Sequence, residues 1–299
     1  MESVQLNFSE SNIGVLNFVL AIIMFGVALE IRVEDFRQLL RNPRAAALGL
    51  IAQFFLLPLF TFALVWLLEP PPQLALGMIL VAACPGGNIS NFIAHLSRGN
   101  TALSVSLTAA GTFLALFLTP LNFNLWGSLY EPTSLLMRTV SLDWRDVFNT
   151  IILIAGIPLA IGMIIQHRKP KWATAASQRL KPLSILAFLG FVGVAFYNNQ
   201  HIFLEYIEDV FFLVLAHNLV ALSTGFLTAR WGGLPLRDQK TIAIETGIQN
   251  SGLGLALLFT FFTGMGGAAL VAAWWGIWHI VSGLTLGFYW SRSSLAQPA

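Results

Sequence analysis

The chain has 299 residues, of which 56% are hydrophobic and only 10% charged, and its mean hydropathy of +0.74 excludes a soluble domain. Its net charge of +2 is uninformative by itself, because in a membrane protein the distribution of charge matters more. A single cysteine, Cys84, excludes an intramolecular disulfide framework.

In chain order, Met1 to Asn12 is polar, carries Glu2 and Glu10, and shows no cleavable signal pattern. The sequon Asn7-Phe8-Ser9 is formally a glycosylation site, but the motif is short. Nine apolar stretches then read as transmembrane spans, at 13–30, 45–68, 74–97, 101–123, 148–166, 182–199, 209–229, 240–262 and 267–290. Pro, Gly and charge mark the breaks, as in Glu69-Pro70-Pro71-Pro72 and His167-Arg168-Lys169-Pro170-Lys171. Pro58, Pro120 and Pro158 read as kinks or ends. The segment 125–147, with Trp126, Tyr130 and Trp144, reads as lying partly along an interface.

Basic residues set the expected orientation. With the N-terminus outside, fourteen of the sixteen Lys and Arg fall inside, and only Arg138 and Arg145 fall outside. The C-terminus is then cytoplasmic. The Pro85-Gly86-Gly87 break and the short loops suggest a multi-pass protein of a bacterial inner membrane.

Spans 3 and 8 are interrupted in a way the others are not. Span 3 contains Ala83-Cys84-Pro85-Gly86-Gly87-Asn88-Ile89-Ser90-Asn91, and span 8 contains Glu245-Thr246-Gly247-Ile248-Gln249-Asn250-Ser251-Gly252. Exposed backbone at membrane depth is tolerated only in a protein-lined cavity. The two spans lie five apart and cross in opposite directions, so they predict an inverted repeat with two broken, crossing helices. Pairing span 3 with 8 and span 4 with 9 gives a 4+5 arrangement in which the first repeat, 13–123, lacks its opening helix and the second covers 148–290. The fold class is thus an all-α polytopic membrane protein forming a single transmembrane transporter domain.

Glu245 is the one acidic residue inside an apolar stretch. A carboxylate near the bilayer centre costs roughly 2.5–3.5 kcal/mol on insertion scales, and no Lys or Arg lies inside a span to compensate it. Its neighbours are oxygen donors: Ser90, Asn91, Gln249, Asn250 and Ser251, with Ser104, Ser106 and Thr108 on span 4 and Gln53 on span 2. Neutral oxygens with one carboxylate suit a small hard cation. Taken singly, Gln53, Ser104, Ser106 and Thr108 read first as amides and hydroxyls that bond helices together. His217 and His279 read as proton relays, substrate contacts or inter-helix hydrogen-bonders, and Cys84 as an apolar filler or soft-metal ligand. An intramembrane enzyme lacks its Ser-His pair, paired aspartates or zinc motif, so the chain is expected not to be an enzyme. A channel fits poorly with a single carboxylate and two broken helices.

The two interrupted segments, from Cys84 to Asn91 and from Glu245 to Leu253, resemble the signatures of the bile acid:sodium symporter family. The similarity extends from about Leu16, through Ile23-Met24-Phe25-Gly26 and Ala52-Gln53, to Ser282-Gly283. The resemblance implies a core domain (spans 2–4 and 7–9), a panel domain (spans 1, 5 and 6), and a sodium-coupled symporter importing an organic anion by alternating access. It implies two sodium ions sharing Glu245. The first takes Ser90, Asn91, Ser104, Thr108 and Glu245; the second takes Gln53, Glu245 and Gln249 with the carbonyls of Thr246 and Ile248. The substrate would sit by Asn88, Asn250 and His279. Family members often carry Thr where Asn88 stands and Asn where Ile280 stands, so the departures touch the substrate side. Expected partners are a small organic anion and the lipid bilayer, with no nucleic acid. A proton-coupled organic-anion carrier and an arsenical-type exporter stay open as alternatives.

Overall fold

The computed structural model describes residues 10–139, 144–198, 200–262 and 264–293, and these are helical almost throughout. The helices are α1 (Glu10–Ala28), α2 (Val33–Arg41), α3 (Pro43–Ile51), α4 (Leu57–Leu68), α5 (Pro72–Ala83), α6 (Ile89–Leu96), α7 (Thr101–Leu129), α8 (Glu131–Thr139), α9 (Trp144–Ile151), α10 (Ile157–Arg168), α11 (Pro170–Asn198), α12 (Gln200–Trp231), α13 (Leu236–Gly247), α14 (Ser251–Phe261) and α15 (Gly266–Ser293). The sequon at Asn7 lies outside the described residues.

Five helical stretches among the described residues are long and apolar enough to cross a membrane: Pro43–Leu68, Thr101–Leu129, Phe148–Arg168, Tyr206–Trp231 and Gly266–Arg292. Phe18–Ala28, Pro72–Ala83 and Ser251–Phe261 are apolar but shorter. At a rise of about 1.5 Å per residue, a helix of twelve residues such as α5 covers only about 18 Å, so it cannot cross alone. The expected span 182–199 falls on α11, which begins at Pro170 and includes Lys171 and Arg179 in the same helix; residue 199 lies outside the described set.

Two interruptions escape sequence reading. Ala52–Leu56 joins α3 to α4, and Ile152–Gly156 joins α9 to α10, each as a π-helical turn. Both immediately precede an Xaa-Pro pair, Leu57-Pro58 and Ile157-Pro158. A proline offers no N–H to the carbonyl four residues back, and its ring crowds that carbonyl, so the backbone widens by one residue there. The carbonyl of Phe54 that Pro58 cannot satisfy instead accepts from Asn122 Nδ2 of α7 at 2.9 Å. Exchanging Asn122 for Leu leaves this buried acceptor unpaired. It should cost about 1–2 kcal/mol, read as a lower thermal midpoint in detergent; an unchanged midpoint would mean that α3–α4 does not depend on this donor.

Helix α7 reaches beyond the expected span end at 123, into the segment 125–147. Residues 125–129 continue α7, which carries Pro120 within it and ends at Leu129. Trp126 Nε1 donates to Asn122 Oδ1 at 3.2 Å, and Thr133 Oγ1 donates to the Gly127 carbonyl at 2.6 Å, fastening the start of α8 to the last turn of α7. Residues 140–143 lie outside the described set.

The centre of the molecule is built on α5, whose residues from Gln73 to Ala83 are all buried. It packs against α15, α7 and α4. Close approach rests on small residues: a Cβ at Gly77 would lie 2.7 Å from the Ala268 carbonyl, and one at Gly225 would lie 2.5 Å from the Ile242 carbonyl. The turn between α6 and α7 docks on the start of α13. There Asn100 Nδ2 donates to Asp238 Oδ1 at 2.8 Å and the Asn100 amide N–H donates to Thr241 Oγ1 at 2.7 Å. This contact sets α7 alongside α13 and brings Ser104 and Thr108 opposite Glu245.

Candidate functional site

Helix α5 ends at Ala83 and α6 begins at Ile89; α13 ends at Gly247 and α14 begins at Ser251. Pro85 favours an extended residue before it, and Cys84 is extended at φ −73° and ψ 159°. The two unwound segments meet as a short antiparallel ladder around Gly86 and Gln249. The Gly87 N–H donates to the Ile248 carbonyl and the Asn250 N–H to the Pro85 carbonyl, both at 2.8 Å. Groups orphaned by two helix breaks thus satisfy one another, which is what permits irregular backbone at this depth. A Cβ at Gly86 would lie 2.6 Å from Glu245 Oε1, and one at Gly87 would lie 2.9 Å from the Gln249 carbonyl. Both positions need glycine for close approach.

Glu245 lies in the last turn of α13 and is 4% exposed. Three hydroxyls converge on its carboxylate. Ser90 Oγ donates to Oε2 at 2.7 Å, Ser104 Oγ donates to Oε2 at 3.0 Å, and Thr108 Oγ1 donates to Oε1 at 2.6 Å. Thr108 Oγ1 also lies 3.2 Å from Asn91 Oδ1 and 3.4 Å from Ser90 Oγ. Ser90 and Asn91 come from the first turn of α6, while Ser104 and Thr108 sit one turn apart on α7. All five residues expected around a first cation are therefore assembled. A hydroxyl donates through one hydrogen and keeps two lone pairs, so each can turn its oxygen to a cation beside the carboxylate.

The second expected set adjoins the first. Gln53 Nε2 donates to Gln249 Oε1 at 2.9 Å and to the Cys84 carbonyl at 2.9 Å. Gln249 Nε2 donates to the Thr246 carbonyl at 2.6 Å, and the Ile248 carbonyl takes the Gly87 N–H. These oxygens are close-knit, and a cation here would displace the Gln249 amide from Thr246. The donors of both sets are oxygens only, which fits a hard monovalent cation. Among the described residues no group of three or more His, Cys, Asp or Glu could hold a metal ion.

The residues expected at a substrate are less tightly grouped. Asn88 is half-buried, and its side chain makes no cap hydrogen bond to α6. Asn250 Oδ1 caps α14 by accepting from the Leu253 N–H at 3.1 Å, and its Nδ2 lies 3.7 Å from Met24 Sδ of α1. His279 is buried on α15, and no hydrogen bond joins it to Asn88 or Asn250 among the described residues. His217 bonds Thr61 Oγ1 through Nε2 at 2.8 Å and packs against Trp275 with ring centroids 4.6 Å apart, as an inter-helix bonder does. Ser106 Oγ donates to the Ala102 carbonyl within its own helix at 2.8 Å, away from the cluster. Ser251 opens α14, beyond the second break.

Sequence reading passes over Asn218, whose Nδ2 donates to the Gly247 carbonyl at 2.8 Å. An isolated amide in an apolar span was the available signal, the same one that singles out Gln53.

Apolar helices of membrane-crossing length around an enclosed polar centre define an integral membrane protein. The sodium bile acid symporter family matches residues 17–206. The chain is 35% identical over 280 residues to the uncharacterized sodium-dependent transporter YocS of Bacillus subtilis (strain 168), spanning 94% of this chain and 84% of that protein. It is 31% identical over 281 residues to the probable sodium/metabolite cotransporter BASS1, chloroplastic, of Arabidopsis thaliana, spanning 93% and 67%. It is 29% identical over 256 residues to the ileal sodium/bile acid cotransporter of Homo sapiens, spanning 83% and 70%. The chain belongs to the sodium bile acid symporter family, a family of transporters and not of enzymes.

Proposed function

We propose that the chain is a sodium-coupled secondary active symporter that imports an organic anion by alternating access. The observation that carries this reading is the convergence of Ser90, Ser104 and Thr108 on the buried Glu245 carboxylate at the meeting of two broken helices. Sodium is here a transported ion. One ion takes Ser90, Asn91, Ser104, Thr108 and Glu245, and a second takes Gln53, Gln249, Glu245 and the carbonyls of Thr246 and Ile248. The architecture we propose has nine spans in a 4+5 inverted repeat, a core of spans 2–4 and 7–9, and a panel of spans 1, 5 and 6. The N-terminus is outside and the C-terminus cytoplasmic, in a bacterial inner membrane.

The anion binds beside the crossing, at Asn88, Asn250 and His279. The start of α6 and the start of α14 bring positive dipole ends to the crossing, which favours a carboxylate or sulfonate. Sodium at Glu245 ties α6, α7 and α13 together, so occupancy biases the core between outward and inward states. Two sodium ions with one monovalent anion move one net charge, which adds roughly 2.3 kcal/mol per 100 mV to the concentration gradients.

The test is thermal unfolding of the purified protein in sodium against potassium or choline. A sodium-specific rise in midpoint is expected, and its size should follow the logarithm of sodium concentration above the dissociation constant. No difference between the salts would remove sodium coupling and favour the proton-coupled carrier. The arsenical reading has one thiol, the buried Cys84, to serve as ligand.

A further inference from the structure

Each broken helix leaves its last carbonyls without an intrahelical partner. At the first break, the Cys84 carbonyl is met by Gln53 Nε2 at 2.9 Å. At the second, the Gly247 carbonyl is met by Asn218 Nδ2 at 2.8 Å. The ladder pairs Gly86 with Gln249, Gly87 with Ile248 and Asn250 with Pro85. A two-fold axis through that ladder carries Cys84 onto Gly247, and therefore Gln53 onto Asn218. The two amides do the same job in the two halves, yet only Gln53 belongs to a cation set.

We infer that Asn218, held by Ser282, is a positioning residue for the second cation. Asn218 is 1% exposed. Its Oδ1 accepts from Ser282 Oγ at 2.6 Å, which fixes the amide with its N–H₂ towards Gly247. Three successive carbonyls of α13 and its break then take three different partners. Thr246 accepts from Gln249 Nε2, Gly247 from Asn218 Nδ2, and Ile248 from the Gly87 N–H. Holding the middle carbonyl towards α12 fixes the peptide planes on both sides of it. The carbonyls of Thr246 and Ile248 are thereby aimed before any ion arrives. Gly247 itself has no room for a Cβ against Leu222 of α12, so the segment cannot shift towards α12 to compensate for a lost hydrogen bond. Ser282 lies on α15, so the relay also ties the aim of these carbonyls to the position of that helix.

Outer partners that orient ligands commonly change metal affinity about 10–100-fold when removed. The assignment rests on the two-sodium reading, and the experiment separates the two. It is a sodium titration of the thermal midpoint of the purified full chain, with choline holding ionic strength constant, for wild type, Asn218→Leu, Ser282→Ala and Ser282→Thr. Asn218→Leu should raise the half-saturating sodium concentration about tenfold and flatten the curve from two-ion to one-ion steepness. Ser282→Ala should shift it less in the same direction, and Ser282→Thr, which keeps the hydroxyl, should restore it. A purely structural role would instead lower the midpoint in choline while leaving the half-saturating concentration and steepness at wild-type values, which would overturn the assignment. Should Asn218→Leu fail to fold, the Ser282 pair decides alone: equal sodium curves for Ala and Thr overturn it. A wild type without any sodium response would overturn the sodium reading itself.

Discussion

Changing Glu245 to Gln should remove the sodium-specific stabilisation expected of the purified protein, and sodium-driven uptake with it. The amide keeps the shape; its oxygen can still accept from Ser90 and Ser104, while its NH₂ takes the place of the oxygen that accepts from Thr108 and can donate to that hydroxyl instead. What it loses is the one formal charge available to both proposed cations. A unit charge at an oxygen–sodium distance of about 2.4 Å contributes several kcal/mol even at an effective dielectric constant of about 20. That is enough to weaken sodium binding by at least about a hundredfold, since each 1.4 kcal/mol is tenfold. Midpoints in choline should not fall, because a neutral side chain is easier to bury than a charged one. A Glu245→Gln protein that still gains stability specifically from sodium would sink the proposed site.

Gly86→Ala should be almost as damaging to transport, for a different reason. The added methyl would lie 2.6 Å from Glu245 Oε1 and 3.2 Å from both Glu245 Cδ and the Glu245 carbonyl oxygen. Contacts this short force either the carboxylate or the ladder to move. The carboxylate is anchored by three hydroxyls, and the ladder is anchored by two backbone hydrogen bonds of 2.8 Å. Either shift displaces the cation ligands by an ångström or more. Uptake should fall by about a hundredfold, the cost of such misplacement elsewhere, while Gly14→Ala, with nothing among the described residues within 4 Å of the new methyl, should leave it unchanged. Near-normal sodium-driven uptake by Gly86→Ala would show that the two breaks do not need to approach so closely.

Much of the site was legible because membrane burial makes polar residues conspicuous. Glu245, Gln53, Ser90 and Thr108 stand out against apolar sequence, and Pro85-Gly86-Gly87 announces a helix break. The positions of both breaks follow from composition for the same reason. The hydrogen-bond partners do not, since a hydroxyl's partner lies on another helix and the pairing of helices is a tertiary fact. The π-helical turns at Ala52–Leu56 and Ile152–Gly156 were invisible because a proline alone does not say whether a helix ends, kinks or widens. Asn122 and Asn218 were missed because each serves a carbonyl and not an ion, and nothing in sequence identifies which carbonyl lacks a partner. The extension of α7 through Trp126 was missed because aromatic residues near a span end read equally as a belt or as further helix.

The main-chain ladder between the two breaks has a consequence for how such a carrier can change its cargo over generations. Its bonds run between backbone atoms of Pro85, Gly87, Ile248 and Asn250, so the side chain of Asn88 can be exchanged without dissolving the frame, and that of Asn250 at the cost of the α14 cap alone. An inserted or deleted residue in either segment, by contrast, would slip the pairing and destroy both breaks together. On the proposed reading, cargo preference is open to point substitution, whereas the frame that would couple cargo to ions is held by segment length. Relatives as differently named as a sodium/metabolite cotransporter and an ileal sodium/bile acid cotransporter are what such a division of labour allows.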